Sequence, residues 1–291
     1  AIRRILERHA AREAARADRA PAPPGPELEA LAMPGEIEAT AHGPVRRIVT
    51  YHEPHHAHGR VAIAGAKAVD APALAALAGQ PELADVDVSR ALFLDTETTG
   101  LSGGTGTVPF LVGLGWFEDD TFVVEQLLLE QLGEEPPLMA RVRERYAQAS
   151  CLVSFNGKAY DAPLLATRAV LSRIRDWPQR PHVDLLHLAR RSYRRRLDAF
   201  RLVELERRVL GFEREHDIDG AEVPGAYWSF LRSSRPSFLV PVIEHNLHDI
   251  VALAALLAEL VHGYARVDAR HEPEDQVCRA LWALRSNDHD Q

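Results

Sequence analysis

Residues 91–129 constrain the fold more than any other stretch of the chain. The segment ALFLD is a continuous apolar run, typical of a strand buried on both faces, and it ends in Asp95, Thr96 and Glu97. Two further strand-like segments follow, PFLVGLGWF and TFVVEQLLL, joined by the acidic turn EDD. This pattern predicts three antiparallel strands, the first of which ends in two carboxylates.

The segments after residue 130 alternate between helix and strand. Helices are predicted for PPLMARVRERYAQA, APLLATRAVLSRI and LVELERRVL, a strand for CLVSF, and a short strand running into a helix for HVDLLHLARRSY. The longest predicted helix is VPVIEHNLHDIVALAALLAELV, which is apolar around most of its circumference. We therefore predict an α/β fold whose mixed central sheet begins with three antiparallel strands and continues with alternating helices and strands.

The composition changes along the chain predict three parts. Residues 1–90 comprise a charged, Ala-rich helix, the Pro-rich linker PAPPGP and a small region with short strands and a short helix. Residues 91–263 form the main domain. Residues 264–291 are expected to be a polar tail without a clear packing partner.

Charge and composition restrict the possible functions. The chain has 291 residues, of which 46% are hydrophobic and 26% charged, as in an ordinary globular protein. Its net charge of −8 repels phosphate, so nucleic-acid binding would need a local basic patch. The two cysteines, Cys151 and Cys278, argue against a disulfide framework and against a Cys-based zinc site. Without an uninterrupted apolar run of spanning length or a signal-like start, we expect a cytoplasmic protein with no membrane partner.

Acidic residues recur at three points where elements begin or end. Asp95 and Glu97 are two residues apart on one strand, so their side chains share a face. Asp161 opens a helix after the fourth strand, and Asn156 lies five residues before it. Asp249 lies inside the apolar part of the longest helix, where an unpaired carboxylate would be costly to bury.

Three of these acids have an ordinary explanation when each is considered alone. Asp95 and Glu97 fit a solvated strand end, and Asp161 fits a helix start, where a carboxylate complements the dipole. Together, four carboxylates from strand ends and helices could hold two divalent ions about 4 Å apart, the arrangement used for in-line displacement at phosphorus. His245, one helical turn before Asp249, faces the same way and could accept the proton of a water near neutral pH.

Three segments carry a resemblance to a known family. FLDTETTGL, FNGKAYDAPLL and HNLHDIVAL resemble, in order, the three motifs of the DEDD exonuclease group within the ribonuclease-H-like superfamily. Their flanks, including GLSGGTGTVPFLVGLGWF and HVDLLHLARRSYRRRL, look like the YprB-type ribonuclease-H-like domain of bacteria, over about residues 91–262.

The resemblance implies a fold, a reaction and a set of residues. It implies a ribonuclease-H-like three-layer fold and a 3′–5′ exonuclease that acts on a single-stranded end of DNA or RNA. It implies two Mg²⁺ or Mn²⁺ ions, and it implies that Thr98 to Leu101 line the path of the terminal nucleotide. The metal ligands that it implies are Asp95, Glu97, Asp161 and Asp249.

The sequence departs from the DEDD pattern at the general base. One branch of the group has Tyr four residues before the last Asp, and the other has His five residues before it. Here His245 is four residues before Asp249, and Glu244 is five before it. We expect His245 to be the base. The alternative is a weakly active or inactive nucleic-acid-binding or scaffold domain that retains the fold.

The segment ARRSYRRRL is a dense basic stripe in an acidic chain. We expect Arg190, Arg191, Arg194 and Arg195 to contact phosphates, and Asn156 to orient a water or a substrate oxygen. The alternative for the stripe is a solvated face paired with acids such as Glu204.

Two acidic segments remain without an assigned chemistry. HVDLLH offers His182 and Asp184, which either lie behind the metal ligands or have a buried structural role. DIDGAE, around Asp217 and Asp219, lacks the spacing of a calcium loop and predicts a turn.

Overall fold

The fold is taken from a computed structural model that describes residues 32–100, 106–266 and 272–287. Two sequence predictions fall outside these ranges. They are the role of Leu101 beside the terminal nucleotide and the helix and linker of residues 1–26.

A seven-stranded mixed sheet forms the centre of the described chain. Its strands are β1 (Glu36–Thr40), β2 (Gly43–His52), β5 (Leu92–Thr98), β6 (Pro109–Glu118), β7 (Thr121–Leu128), β8 (Leu152–Ser154) and β9 (His182–Asp184). Their order across the sheet is β1-β2-β7-β6-β5-β8-β9. In this order, neighbouring strands pair antiparallel from β1 as far as β5, whereas β5, β8 and β9 run parallel. A separate two-stranded sheet pairs β3 (Ala57–His58) with β4 (Val61–Ala62).

Helices cover both faces of the sheet, with one hydrophobic cluster on each side. The helices are α1 (Ala71–Ala78), α2 (Glu135–Gln148), α3 (Asp161–Leu171), α4 (Leu185–Tyr193), α5 (Leu202–Leu205, continued by a π-helical segment, Glu206–Leu210), α6 (Val223–Ser233), α7 (Val240–Ala265) and α8 (Pro273–Asn287). The predicted α/β architecture with a mixed sheet is confirmed. Helix α6 was not predicted, because its Pro and Gly near the start mask the helical pattern.

Within the described part of the N-terminal region, the strands β1 and β2 belong to the main sheet. We expected residues 1–90 to be a small region apart from the domain at 91–263, but β2 pairs with β7 along seven residues. The side chains of Ile63, Leu74 and Leu77 are buried in the same cluster as those of α7. The difference arises because strand pairing between distant segments leaves no local sequence signal.

The C-terminal stretch also differs from its prediction as a tail without a partner. Residues 273–287 form α8, and Cys278 and Arg279 are buried. Arg279 Nη1 donates a 2.9 Å hydrogen bond to the carbonyl of Gly263, and Arg196 pairs with Asp275 at 2.8 Å. The polar residues that suggested solvent exposure are instead the contacts that hold this helix against its neighbours.

Helix α7 packs closely across the strand β6. A Cβ atom on Gly113 would lie 2.3 Å from Oδ1 of Asn246, and one on Gly115 would lie 2.6 Å from Cγ2 of Ile250. Two glycines two residues apart on the strand therefore let the helix approach the sheet. The range Pro236–Ala265 has the length and apolar composition of a membrane span, but 72% of its most apolar window is buried inside the protein. This burial is what a core helix requires.

Candidate metal centre

The strand β5 positions two carboxylates at the edge of the sheet where the C-terminal end of this strand lies. Asp95 and Glu97 lie near its C-terminal end, on the face that α7 covers. The side-chain amide of Asn246 on α7 donates a 2.8 Å hydrogen bond to Oδ2 of Asp95. The amide of Gln126 on β7 in turn donates to Oδ1 of Asn246 at 2.9 Å, which fixes the amide orientation. The position of Asp95 is therefore set by two neighbouring elements.

A loop after β8 brings Asp161 to the same edge. Asp161 is the first residue of α3 and is 9% exposed, and the hydroxyl of Thr96 donates a short hydrogen bond to its Oδ1. A Cβ on Gly157 would lie 2.9 Å from Oδ2 of Asp161 and 2.4 Å from Oγ of Ser154. Gly157 therefore allows the loop to pass close to the carboxylate.

Asp184 holds this loop in place by accepting hydrogen bonds from its backbone. Its Oδ1 accepts a 2.8 Å hydrogen bond from the backbone N–H of Asn156, and its Oδ2 accepts one of 3.3 Å from the backbone N–H of Lys158. Asn156 has a φ of 64°, a left-handed conformation that Asn tolerates better than most residues. The buried Asp184 thus holds the backbone behind Asp161. His182 contributes a 2.7 Å hydrogen bond with Ser154 in the same region.

Helix α7 contributes Asp249 and His245 on one face. Nε2 of His245 lies 3.6 Å from Oδ2 of Asp249 and 3.9 Å from Oε1 of Glu97. The donor atoms of these three residues all lie within 4.8 Å of one another. Nδ1 of His245 points the other way and lies 2.7 Å from Oδ1 of Asp217.

The site contains a buried cation, Arg214, which the sequence analysis did not identify. Its side chain is 2% exposed, and it pairs with Asp249 through Nη2 and with Asp217 through Nη1 at 3.2 Å. Nη2 also lies 2.6 Å from Oε2 of Glu206, a fully buried acid on the π-helical segment. Glu206 is bound on its other oxygen by Nε2 of His58 at 2.7 Å. The segment EREHD gave no periodic signal, because Arg214 lies in a loop.

The four carboxylates of this site lie close together and are largely shielded from water. Burial raises the pKa of Glu97 to about 8, with Asp249 and Asp161 adding to the rise. Burial raises the pKa of Asp161 to about 6, against the hydrogen bond from Thr96. Burial is also the largest cause of the raised pKa values of Asp95 and Asp249. Carboxylates with raised pKa values in one place favour binding of a further cation.

The pKa of His245 is also raised, but neighbouring negative charges cause the rise and burial opposes it. Burial lowers its pKa, but the negative charges of Asp249 and Glu97 and the contact with Asp217 outweigh burial, so the pKa is raised. Carboxylate oxygens and an imidazole nitrogen are ligands for divalent ions. The donor set of Asp95, Glu97, Asp161, Asp249 and His245 therefore fits a divalent metal centre.

The remaining predicted site residues fall into two groups. Thr98 lies at the end of β5, where its hydroxyl donates a 2.8 Å hydrogen bond to the carbonyl of Gly100. Asn156 lies beside the acidic cluster, in the loop before Asp161. The arginine stripe lies elsewhere, at the far end of α4, a helix about 13 Å long that begins at the edge of the sheet near Asp184.

The arginines of this stripe differ in exposure. Arg190, Arg194 and Arg195 are exposed. Arg191 is half-buried, donates a 2.8 Å hydrogen bond to the carbonyl of Leu77, and lies over the ring of Trp282 at 4.1 Å. Its guanidinium is therefore used within the fold, which differs from the phosphate contact that we expected.

Comparison with known proteins identifies the relatives of this chain. Residues 92–261 match the family model described as the RNase_H superfamily. The chain is 34% identical over 202 residues to the uncharacterized protein YprB of Bacillus subtilis (strain 168). This match includes 68% of the present chain and 49% of YprB, so the chain spans about half the length of that relative.

Proposed function

Because this chain belongs to the RNase_H superfamily and has the ribonuclease-H-like fold, we propose that it is a metal-dependent 3′–5′ exonuclease that hydrolyses phosphodiester bonds of DNA or RNA. The observation that supports this proposal is the convergence of Asp95, Glu97, Asp161 and Asp249 at one edge of the sheet. A surface role does not require four acids that are largely buried and repel one another. A nuclease centre does require them, because divalent ions need such ligands.

The four acids would hold two Mg²⁺ or Mn²⁺ ions. Such ions, when bound, lower the pKa of a water and neutralise the charge that develops on the phosphate and on the leaving 3′ oxygen. The chain's own contribution is position. Asn246 orients Asp95, Thr96 orients Asp161, and Arg214 orients Asp249.

His245 has two chemical roles open to it in this site. Its Nε2 faces Glu97 and Asp249, and this nitrogen has a single lone pair. It can accept the proton of a water, as the sequence predicts, or it can bind an ion, but it cannot do both at once.

The substrate end enters beside the loops that flank the acids. Thr98 and Leu101 are proposed to line the path of the terminal nucleotide, and Asn156 is proposed to orient a water or a substrate oxygen. Arg190, Arg194 and Arg195 are proposed to contact backbone phosphates further along the strand, since the far end of α4 is about 13 Å from its start. A single-stranded end is the proposed partner, and a cytoplasmic location stays a prediction.

The experiment that tests this function uses the full chain with 5′-labelled single- and double-stranded DNA and RNA, in Mg²⁺, Mn²⁺ or EDTA. We expect a ladder of shortened, 5′-labelled products in metal and none in EDTA or with Asp95→Ala. A circular single strand should stay intact, and a strand with a blocked 3′ end should be resistant. Cleavage of the circle would show an endonuclease, and activity of Asp95→Ala equal to that of the wild type would refute the assigned centre.

A second candidate is a domain that binds nucleic acid without cutting it. The observation that favours it is the pairing of Asp249 with Arg214, which gives a proposed ligand an internal counter-ion. This candidate predicts binding to single strands that weakens with salt and intact substrates under every metal condition. Metal-dependent cleavage that is lost with Asp249→Asn would exclude it.

A further inference from the structure

The ring of His245 is oriented with one nitrogen toward the acids and the other toward Asp217. Nε2 lies 3.6 Å from Oδ2 of Asp249 and 3.9 Å from Oε1 of Glu97. Two ligand atoms of one divalent ion are about 3 to 4 Å apart, because each lies roughly 2 Å from the ion. Both distances from Nε2 therefore match the spacing of ligands on one ion, and the donor atoms of all three residues lie within 4.8 Å of one another.

The hydrogen bond on the far side of the ring determines the tautomer. Nδ1 lies 2.7 Å from Oδ1 of Asp217, and a carboxylate only accepts hydrogen bonds, so Nδ1 must carry the proton. The longer approach of Nη1 of Arg214 to Nδ1, at 3.3 Å, is secondary. Nη1 instead holds Oδ2 of Asp217 at 3.2 Å. In the neutral imidazole, the lone pair of Nε2 is consequently directed at Glu97 and Asp249.

A carboxylate behind a histidine is the usual arrangement at metal centres. Histidines that bind a metal donate their other N–H to a carboxylate or carbonyl, which fixes the ring and raises the basicity of the ligating nitrogen. Asp217 has this relation to His245, and Arg214 anchors Asp217 from a buried position. The same arrangement also orients a histidine that acts as a general base. The position of Nε2 against Glu97 and Asp249 is therefore the observation that favours a metal ligand here.

We propose that Nε2 of His245 is a ligand of the ion held by Glu97 and Asp249, and that this ligand makes the centre select a transition-metal ion over Mg²⁺. The proposal rests on the proposed function insofar as it takes this cluster for the ion site of the nuclease. Mg²⁺ prefers oxygen ligands and sheds its waters reluctantly, whereas first-row transition ions accept imidazole nitrogen readily. With its lone pair on the ion, His245 is not the proton acceptor.

Mn²⁺ is the probe for the test, because its electron spin detects a directly bound nitrogen. The full chain is freed of metal, titrated with Mn²⁺ under electron paramagnetic resonance, and then examined by pulsed methods for coupling to ¹⁴N. We expect the wild type to show ¹⁴N coupling. His245→Gln should lose it and should bind Mn²⁺ more weakly, on the order of 10- to 100-fold.

His248→Gln is the matched control, since it makes the same change on the same helix. The ring of His248 lies against Phe212, at a centroid distance of 5.7 Å. This variant should keep both the coupling and the Mn²⁺ affinity. Mg²⁺ affinity, measured by competition with Mn²⁺, should change far less than Mn²⁺ affinity in His245→Gln, because Mg²⁺ gains little from imidazole.

Asp217→Asn provides a second variant in case His245→Gln does not fold. It leaves the ligand in place but weakens the hydrogen bond behind it, and we expect Mn²⁺ affinity to fall about tenfold. Stoichiometric Mn²⁺ binding without ¹⁴N coupling in the wild type would overturn the proposal, as would coupling that persists in His245→Gln. Neither readout depends on cleavage, so a protein with ¹⁴N coupling and no nuclease activity would refute the proposed function alone.

Discussion

Arg214 and Asp249 form a buried ion pair beside the acidic cluster. Nη2 of Arg214 donates to Oδ1 of Asp249, which leaves Oδ2 facing His245. The guanidinium is also bound to Glu206 and Asp217, so one cation from a loop connects three acids. A fixed orientation of Asp249 is the consequence.

Removing this cation should destabilise the protein strongly. In Arg214→Met, the acids Glu206 and Asp249 are left buried without their partner, and breaking a buried pair costs about 3–5 kcal/mol. Urea denaturation of the metal-free protein measures the change in the free energy of unfolding. Arg207→Met is the control, because Arg207 is exposed and its salt bridge joins it to Glu204, three residues earlier, so a much smaller loss is expected there. Equal losses in the two variants would contradict the assigned role.

The carboxyl of Glu97 should make the metal-free protein less stable as the pH rises. Burial raises its pKa to about 8, above the ordinary value of 4.5, so the folded state binds this proton more tightly than the unfolded state. Stability from this group is therefore present below about pH 4.5 and is lost as the pH rises through 8. Glu97→Gln removes the dependence. In EDTA, the variant should gain stability relative to the wild type between pH 5 and pH 8, measured by thermal unfolding, and a constant difference would contradict the prediction.

Gly157→Ala should reduce activity through the position of Asp161. The added Cβ would lie 2.4 Å from Oγ of Ser154 and 2.9 Å from Oδ2 of Asp161, so the loop or the carboxylate must move. Overpacking of this kind costs about 1–3 kcal/mol, and a misplaced catalytic group costs about 100-fold in rate. Cleavage rates and melting temperatures measure both effects.

A glycine in open space provides the comparison for Gly157. A Cβ on Gly220 would meet nothing within 4 Å. Gly220→Ala should therefore leave the cleavage rate and the melting temperature close to those of the wild type. Wild-type activity in Gly157→Ala would show that Asp161 tolerates a shift.

The arginine stripe should separate into substrate contacts and structural contacts. Substituting Arg190, Arg194 and Arg195 together with Ala should weaken single-strand binding and lower the slope of log affinity against log salt by about 2, at roughly 0.7 per phosphate. Arg191→Ala should instead lower stability, because its guanidinium binds the carbonyl of Leu77 and stacks on Trp282. Fluorescence anisotropy across a salt series measures the slope. An unchanged slope in the triple variant would remove these arginines from the nucleic-acid surface.

Local patterns in the sequence determined the elements and the acids. The apolar run before Asp95, the strand segments after it and the long apolar helix each carry a periodic signal that depends only on neighbouring residues. The acids were conspicuous because a carboxylate at the end of a buried strand, or inside an apolar helix, is costly without a partner. These signals were enough to predict the α/β fold and to name the four acids.

The partners of those acids depended on contacts between distant segments. Arg214 and Asp217 lie in a loop. The segment around Asp217 predicted no more than a turn, and the segment around Arg214 gave no periodic signal. Both residues meet His245 only because α7 packs over β6, where Gly113 and Gly115 allow the close approach. The addition of β1 and β2 to the sheet and the docking of α8 arise in the same way. Neighbouring residues in the sequence set the strands, the helices and the chemistry available at their ends. Long-range packing alone decided which cation, amide and second acid would surround that chemistry, because such contacts leave no periodic trace in the chain.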